Sequence, residues 1–213
     1  ALAFGGNPFP NGAKTETWNG ASWTEVGDLN TTRNLLAGAG ASNTSALALG
    51  GANLTTSLGN AETWNGSSWT EVGDFNTARQ QMAGAGTQTS ALAISGNKPG
   101  TGITPEVESW NGSSWTEVGD VNTQRYILSA SGADNTVALA FGGDTPPVTG
   151  ATESWNGSSW TEVADLSVAR KQLAGNGTTN TTAIAFGGAP PVTGATEEFQ
   201  GAGAILTRTF TLS

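Results

Sequence analysis

Cysteine and histidine are both absent from the 213 residues of this sequence. Without cysteine, no disulfide bond can cross-link the fold and no thiol nucleophile is present. Without histidine, the Ser-His and Cys-His catalytic pairs are excluded, and zinc fingers and haem sites lose their usual ligands. These two absences exclude several large classes of enzyme and metalloprotein.

Positive charge and long apolar runs are also scarce. The sequence has 8 Lys and Arg residues against 17 Asp and Glu residues, for a formal net charge of −9. A surface that binds DNA or RNA needs clustered Lys and Arg, so we expect no nucleic-acid partner. No apolar run approaches the roughly 20 residues that span a bilayer, so we expect no membrane insertion. The chain begins at Ala1 without methionine or a signal peptide, which is typical of a processed chain or a fragment.

The sequence instead contains an internal repeat. The segment TWNGASWTEVGDLNTTR at 17–33 returns with few changes at 63–79, 109–125 and 154–170. Its first tryptophan recurs at spacings of 46, 46 and 45 residues. A second element, ALAFGG at 1–6, recurs in related form at 46–51, 91–96, 138–143 and 183–188. Composition does not change along the chain, so the repeat indicates one domain over residues 1–213.

Each repeat contains four short apolar segments bounded by turn residues. Strand a is the RxxLAGAG run, strand b is ALAFGG, strand c ends at the first tryptophan, and strand d begins at the second. No segment has a sustained 3.6-residue apolar period, so almost no helix is expected. A repeat of roughly 40 to 50 residues with four strands predicts a β-propeller.

An Asn-Gly pair follows the first tryptophan and indicates a hairpin between strands c and d. A two-residue turn would pair Trp18 with Ala21 and Glu16 with Trp23. A four-residue loop would pair Trp18 with Trp23 and oppose Glu16 to Glu25. Because directly opposed like charges are unfavourable, we expect the two-residue turn. Both registers place the two tryptophans on one face, which we expect to be buried between blades.

These features resemble the kelch repeat, which has a di-glycine after strand b, an aromatic residue on strand c and a tryptophan on strand d. The di-glycines here are Gly5-Gly6, Gly50-Gly51, Gly142-Gly143 and Gly187-Gly188, with Ser95-Gly96 in the third copy. The strand c aromatics are Trp18, Trp64, Trp110, Trp155 and Phe199; the strand d tryptophans are Trp23, Trp69, Trp115 and Trp160, replaced by Ile205 in the last copy. The WNGSSWTEV repeats also resemble kelch-like proteins encoded by environmental, especially marine, bacteriophages. The tryptophans are expected to form the structural core, with stacking on sugars as the alternative.

The copy number of each strand predicts the architecture. Strands b and c occur five times, whereas strand a occurs four times. We therefore predict an all-β, five-bladed, kelch-like β-propeller of four-stranded repeats of about 45 residues, whose first blade lacks its innermost strand. The small residues of strand a suit a narrow axis. The blades are expected at approximately 1–28, 29–74, 75–120, 121–165 and 166–213.

Charged residues also recur in every blade. Four arginines each follow an aspartate by five residues: Arg33, Arg79, Arg125 and Arg170. We expect them to form structural ion pairs, either with that aspartate or with a glutamate of a neighbouring blade. Glutamate pairs such as Glu16 and Glu25 are candidates for glycoside hydrolysis, and an acidic ring is a candidate Ca²⁺ site. Residues repeated by symmetry are more often framework, so we expect no enzyme activity, no metal and no cofactor.

The loops between strands b and c differ most from copy to copy, and they are expected on the same face as the d–a connections. Binding residues concentrate on loops held by a rigid scaffold, although drift in surface loops gives the same pattern. The candidate ligand-binding residues on this loop face are Phe9, Asn11, Leu54, Leu58, Lys98 and Ile103.

The sequence favours a non-enzymatic binding module that is extracellular or displayed on a virion, such as a phage tail fibre or appendage. Its expected partner is a cell-surface glycan or protein. The alternative is a structural subunit that binds other virion or filament subunits, or copies of itself, through the edge of the incomplete blade. The third and last-ranked hypothesis is an enzyme that acts on glycans.

Overall fold

The computed structural model describes residues 1–7 and 11–201 and the backbone of 205–208. In these ranges the chain is built of β-strands and turns, without a helix. Five antiparallel sheets form a five-bladed β-propeller, which confirms the predicted fold class. The first sheet has three strands and the other four have four each, which confirms the missing innermost strand of blade 1.

The strands follow one another outward from the propeller axis within each blade. Blade 1 contains β1 (Leu2–Phe4), β2 (Thr15–Trp18) and β3 (Trp23–Glu25). Blade 2 contains β4 (Ala37–Ser42), β5 (Ser45–Leu49), β6 (Ala61–Trp64) and β7 (Trp69–Val72). Blade 3 contains β8 (Ala83–Gly86), β9 (Ala91–Ile94), β12 (Val107–Trp110) and β13 (Trp115–Val118), with a small hairpin of β10 (Asn97–Lys98) and β11 (Gly102–Ile103) in its b–c loop. Blade 4 contains β14 (Ser129–Asp134), β15 (Val137–Phe141), β16 (Thr152–Trp155) and β17 (Trp160–Glu162). Blade 5 contains β18 (Ala174–Asn176), β19 (Thr182–Phe186), β20 (Thr196–Gln200) and β21 (Ile205–Arg208).

The innermost strands are built of small residues because they lie close to one another around the axis. Strands β4, β8, β14 and β18 line a narrow axial channel of about 140 Å³. A Cβ atom added to Gly38 would lie 2.7 Å from the Phe4 ring, and one added to Gly84 would lie 2.5 Å from the carbonyl oxygen of Gly38. Larger residues at these positions would therefore push the blades apart.

In blades 1 to 4 the hairpins between the two outer strands have a four-residue loop, so the expected two-residue turn is wrong. Trp18 lies opposite Trp23, and Glu16 lies opposite Glu25. In blade 2 the side-chain oxygen of Asn65 accepts hydrogen bonds from the backbone N–H groups of Ser67 and Ser68, at 2.9 and 3.0 Å. The asparagine therefore closes a wider loop with its own side chain, as in an Asx-turn.

The paired tryptophans of blades 2, 3 and 4 are buried against the blade that precedes them. In blade 2 the rings of Trp64 and Trp69 lie 5.3 Å apart, and the edge of Phe4 from blade 1 packs 4.9 Å from Trp69. Trp69, Trp115 and Trp160 are 5%, 8% and 7% exposed. The equivalent Trp23 of blade 1 is 47% exposed, so this tryptophan is not part of the buried core that the sequence predicted for it.

A chain of backbone hydrogen bonds connects the blades around the axis. The N–H of Gln81 donates to the carbonyl oxygen of Leu35, that of Ile127 to Gln81, and that of Gln172 to Ile127, at 2.8, 2.8 and 3.1 Å. All four residues have a left-handed backbone, with φ between 53 and 57°. This conformation is uncommon outside glycine, so the inter-blade bonds offset a local backbone cost.

Among the described residues, no buried core cluster joins blade 5 to blade 1, so each of these two blades has one face outside the repeated packing between blades. These two end faces carry Trp18 and Trp23 on blade 1, and Ile184 and Phe186 on blade 5. Ile184 and Phe186 are both 43% exposed, whereas the equivalent residues of blade 4, Leu139 and Phe141, are 1% and 2% exposed. The end faces therefore keep apolar surface that every other blade buries.

Replacing a buried and an exposed member of the strand d tryptophans gives a direct test of this packing. Trp115→Ala is expected to lower the free energy of unfolding by about 3 to 5 kcal/mol, because it leaves a cavity between blades 2 and 3. Trp23→Ala is the matched control and is expected to cost less than about half as much, because its ring is already partly in water. Urea unfolding followed by circular dichroism measures both, and equal losses would contradict the described end face.

Candidate functional site

The repeated arginines form ion pairs with the glutamate on strand c of their own blade. Neither partner expected from the sequence, the preceding aspartate or a neighbouring blade's glutamate, is the observed one. The nitrogen–oxygen distances are 3.0 Å for Arg33–Glu62, 2.7 Å for Arg79–Glu108 and 3.2 Å for Arg125–Glu153, and Arg170 pairs with Glu197 in the same way. All eight side chains are at most 2% exposed.

Each buried carboxylate also receives hydrogen bonds from the loop that leads into its blade. In blade 3 one oxygen of Glu108 accepts from the backbone N–H and side-chain amide of Asn76, at 2.7 and 2.8 Å. Its other oxygen accepts from Arg79 at 2.7 Å, and Arg79 also donates to the carbonyl oxygen of Ala93 at 3.1 Å. The glutamate therefore holds the d–a loop against the middle of the sheet.

Burial destabilises the charged form of these arginines, whereas the neighbouring glutamates stabilise it. Desolvation lowers the pKa of Arg33 and of Arg125 from the ordinary arginine value, and the nearby Glu62 and Glu153 oppose that change. An arginine remains charged in proteins, so each of blades 2 to 5 buries a complete ion pair. Removing either partner leaves an uncompensated buried charge.

The loop face is formed where the b–c loops meet the residues that begin the innermost strands. Asn34 forms an antiparallel bridge with Ala52, and Gln80 forms one with Asn97. Equivalent bridges join Tyr126 to Asp144 and Lys171 to Ala189. The b–c and d–a connections therefore lie on the same face of the propeller, as the topology predicted.

The candidate loop residues do not form one cluster. Leu54 is 79% exposed at the tip of its loop, and Asn11 is also exposed. Leu58 is half-buried, and so is Ile103, which lies in the β10–β11 hairpin. Lys98 is half-buried and forms an ion pair with Glu106. Phe9 lies outside the described residues.

An open cleft of about 530 Å³ lies between the b–c loops of blades 2 and 3. Of the sequence candidates it brings together Leu54 and Lys98, and its walls also include Asn53, Thr55 and Gln80. Asn53 holds the first loop in shape, because its side-chain oxygen accepts the N–H groups of Thr55 and Thr56, both at 2.9 Å. Leu54 is therefore presented on a loop that is closed by its own hydrogen bonds.

Sequence reasoning missed the loop-face position directly after each repeated arginine. This position carries Asn34, Gln80, Tyr126 and Lys171 in turn, and the variation within a repeated segment is the signal that would have identified it. The ammonium nitrogen of Lys171 lies 2.5 Å from a carboxylate oxygen of Asp144, and the hydroxyl of Tyr126 donates to the same oxygen at 3.3 Å. The hydrogen bond to Asp144 raises the pKa of Lys171. The loop face therefore differs from blade to blade in both loops and strand starts.

Within the described ranges, no helix is long and apolar enough to cross a membrane. The same residues contain no group of three or more acidic side chains placed to hold a metal ion. The sequence matches no known family model and no curated protein.

The buried ion pair of blade 3 is tested by removing its negative charge. Glu108→Gln is expected to lower the free energy of unfolding by about 3 to 5 kcal/mol, because Arg79 stays buried without a counter-charge. Glu117→Gln, on the exposed residue opposite Glu108, is the matched control and should change stability by less than about 0.5 kcal/mol. Thermal and urea unfolding measure both variants, and a Glu108→Gln protein as stable as the control would contradict a structural role for the pair.

Proposed function

We propose that this protein is a non-enzymatic binding module that recognises a glycan or a protein through the cleft between the b–c loops of blades 2 and 3. The observation that carries the proposal is the cleft itself. Two loops of unlike sequence, held on a repeated rigid frame, form its walls. Variable loops on a constant scaffold are a common arrangement for recognition.

The chemistry of the cleft suits a polar ligand with an apolar patch. Asn53, Thr55 and Gln80 offer hydroxyl and amide groups that both donate and accept hydrogen bonds. Lys98 adds a positive charge beside Glu106, and Leu54 adds an exposed apolar contact. Sugars present hydroxyl groups around apolar ring faces, and a loop of another protein presents a similar mixture. The open shape favours the end of a chain or a surface loop over an enclosed small molecule.

We further propose that the module is a kelch-like propeller displayed outside a cell or on a virion, in the manner of a tail fibre or appendage. The di-glycine and tryptophan positions support the kelch-like assignment, and the likeness of the WNGSSWTEV repeats to phage-encoded proteins supports the location. The strand c glutamates of blades 2 to 5 are buried partners of arginine, which supports a non-enzymatic role, because both oxygens of such a carboxylate are already bound, as in Glu108.

A second candidate function is a structural subunit that assembles through the incomplete blade. It is favoured by the exposed apolar end faces, which carry Trp23 on blade 1 and Ile184 and Phe186 on blade 5. Contact between the blade 5 face of one copy and the blade 1 face of the next would be head-to-tail, and such contacts extend into rings or filaments.

The binding proposal is tested with a glycan array and a panel of surface proteins, followed by titration of the strongest hit. Leu54→Ala is expected to weaken that binding roughly tenfold to 30-fold, because it removes an apolar contact of about 1.5 to 2 kcal/mol. Val192→Ala is the matched control, since Val192 is 91% exposed in the b–c loop of blade 5. Equal affinity of the two variants, or an absence of hits, would contradict recognition through this cleft.

A further inference from the structure

Two primary amides lie side by side in the cleft between blades 2 and 3. The N–H of Gln80 donates to the carbonyl oxygen of Asn97 at 3.0 Å, and the N–H of Asn97 donates back at 2.8 Å. Residues paired in this way carry their side chains on the same face, with Cβ atoms roughly 5 Å apart. Both side chains are half-buried and both line the cleft. The cleft therefore contains two neighbouring amide groups.

The protein itself does not use these two amides. Neither side chain makes a hydrogen bond to another described residue. At the equivalent bridges of the loop face, in contrast, polar side chains have partners. The side-chain amide of Asn34 donates to Asn7 at 2.7 Å, and the Tyr126 hydroxyl and the Lys171 ammonium group both donate to Asp144, at 3.3 and 2.5 Å. Polar groups withdrawn from bulk water are normally hydrogen-bonded, so the amide pair is available to a bound molecule.

The charge in the cleft is compensated. Among the described residues that line it, Lys98 alone is charged, and it forms an ion pair with Glu106. Burial by itself would raise the pKa of Glu106, but the hydrogen bond and the charge of Lys98 lower it below the ordinary glutamate value. Glu106 is therefore ionised at neutral pH and cancels the charge of Lys98. An anionic ligand would find no unpaired cation in these walls, so the cleft favours a neutral one.

Two apolar side chains lie at the rim of the cleft, one on each loop. Leu54 is 79% exposed in the b–c loop of blade 2, and Pro99 is exposed in the turn between β10 and β11 of blade 3. No aromatic or arginine side chain is among the described residues of the walls. Those residue types supply most of the anchors in protein–protein interfaces. Small apolar contacts above a polar base suit a sugar ring better than a protein surface.

We propose that the ligand of this cleft is a neutral saccharide, which the amides of Gln80 and Asn97 bind through two adjacent hydroxyl groups. The inference rests on the proposed binding function of the cleft and names its ligand class. An amide donates from its nitrogen and accepts at its oxygen, and a hydroxyl group also does both, so the two sets of groups match. Leu54 and Pro99 contact the C–H groups of the sugar ring. The volume of about 530 Å³ is within the range of about 300 to 1,000 Å³ that is typical of ligand sites.

The probe is an array of neutral oligosaccharides of glucose, galactose, mannose and N-acetylglucosamine, printed beside sialylated and sulfated forms of the same chains. The full chain should bind neutral members, with an affinity that does not depend on ionic strength, because binding pairs no net charge. For the strongest neutral hit, Gln80→Glu and Asn97→Asp should each weaken binding roughly threefold to tenfold in calorimetric titration, because each change keeps the shape but removes an N–H donor. Gln172→Glu is the matched control, since it makes the same change at an exposed amide of blade 5 and should leave affinity unchanged.

Deoxy analogues of the hit, each with one hydroxyl group replaced by hydrogen, test the contact without relying on the folding of a variant. The analogue that lacks the hydroxyl bound by Asn97 should bind the unmodified protein about as weakly as Asn97→Asp binds the parent sugar. Asn97→Asp should not weaken the binding of that analogue further, because the two changes remove the same hydrogen bond. A second analogue should show the same relation with Gln80→Glu.

The outcomes separate this inference from the broader binding function. Neutral hits that both amide variants bind as well as the unmodified protein would overturn the inference, and so would hits confined to the sialylated or sulfated chains. Hits confined to proteins and weakened by Leu54→Ala would overturn the saccharide assignment but leave recognition through the cleft intact. An absence of binding to glycans and proteins alike would overturn both.

Discussion

The buried ion pair between arginine and glutamate is the interaction on which each complete blade depends. The arginine comes from the loop that enters the blade, and the glutamate comes from the third strand, about 30 residues later. In blade 3 one carboxylate oxygen of Glu108 accepts from Arg79, and the other accepts from Asn76. A buried pair contributes little net stability over an apolar pair, but it requires one arrangement of loop and sheet. The position of the loop face follows from that requirement.

The same interaction compensates the like charges that face each other in the outer hairpins of blades 2, 3 and 4. Glu62 lies opposite Glu71, an arrangement that elementary electrostatics disfavours. The buried carboxylate of Glu62 forms an ion pair with Arg33 and accepts a hydrogen bond from Asn30, while Glu71 lies at the surface. With this compensation, the loop closed by the Asn65 side chain and the contact between Trp64 and Trp69 determine the register. Local charge repulsion was therefore a poor guide, because the compensating charge comes from a distant part of the chain.

A constant frame and a variable face together connect the fold to the proposed function. The repeated arginines, glutamates and tryptophans are buried and leave the loops free to differ. Variation between copies identified Leu54 and Lys98 in the cleft, because both lie in loops of unequal length and sequence. It did not single out Gln80, because this varied position follows an arginine inside a segment that otherwise recurs with few changes. Leu58 and Ile103 were reasonable candidates from their loops, yet the structure turns them partly inward.

The sequence by itself determined the repeat period, the number of blades, the four-stranded plan and the missing innermost strand of blade 1. These properties depend on local patterns that recur, and counting the copies is enough to read them. The tertiary structure alone decided the hairpin register, the partner of each arginine, the cleft between two loops and the exposure of the end faces. Each of these depends on which distant residues meet across a sheet or between blades. A repeat shows that such contacts recur, whereas only the folded chain shows which atoms make them and where, at blade 1, the recurrence stops.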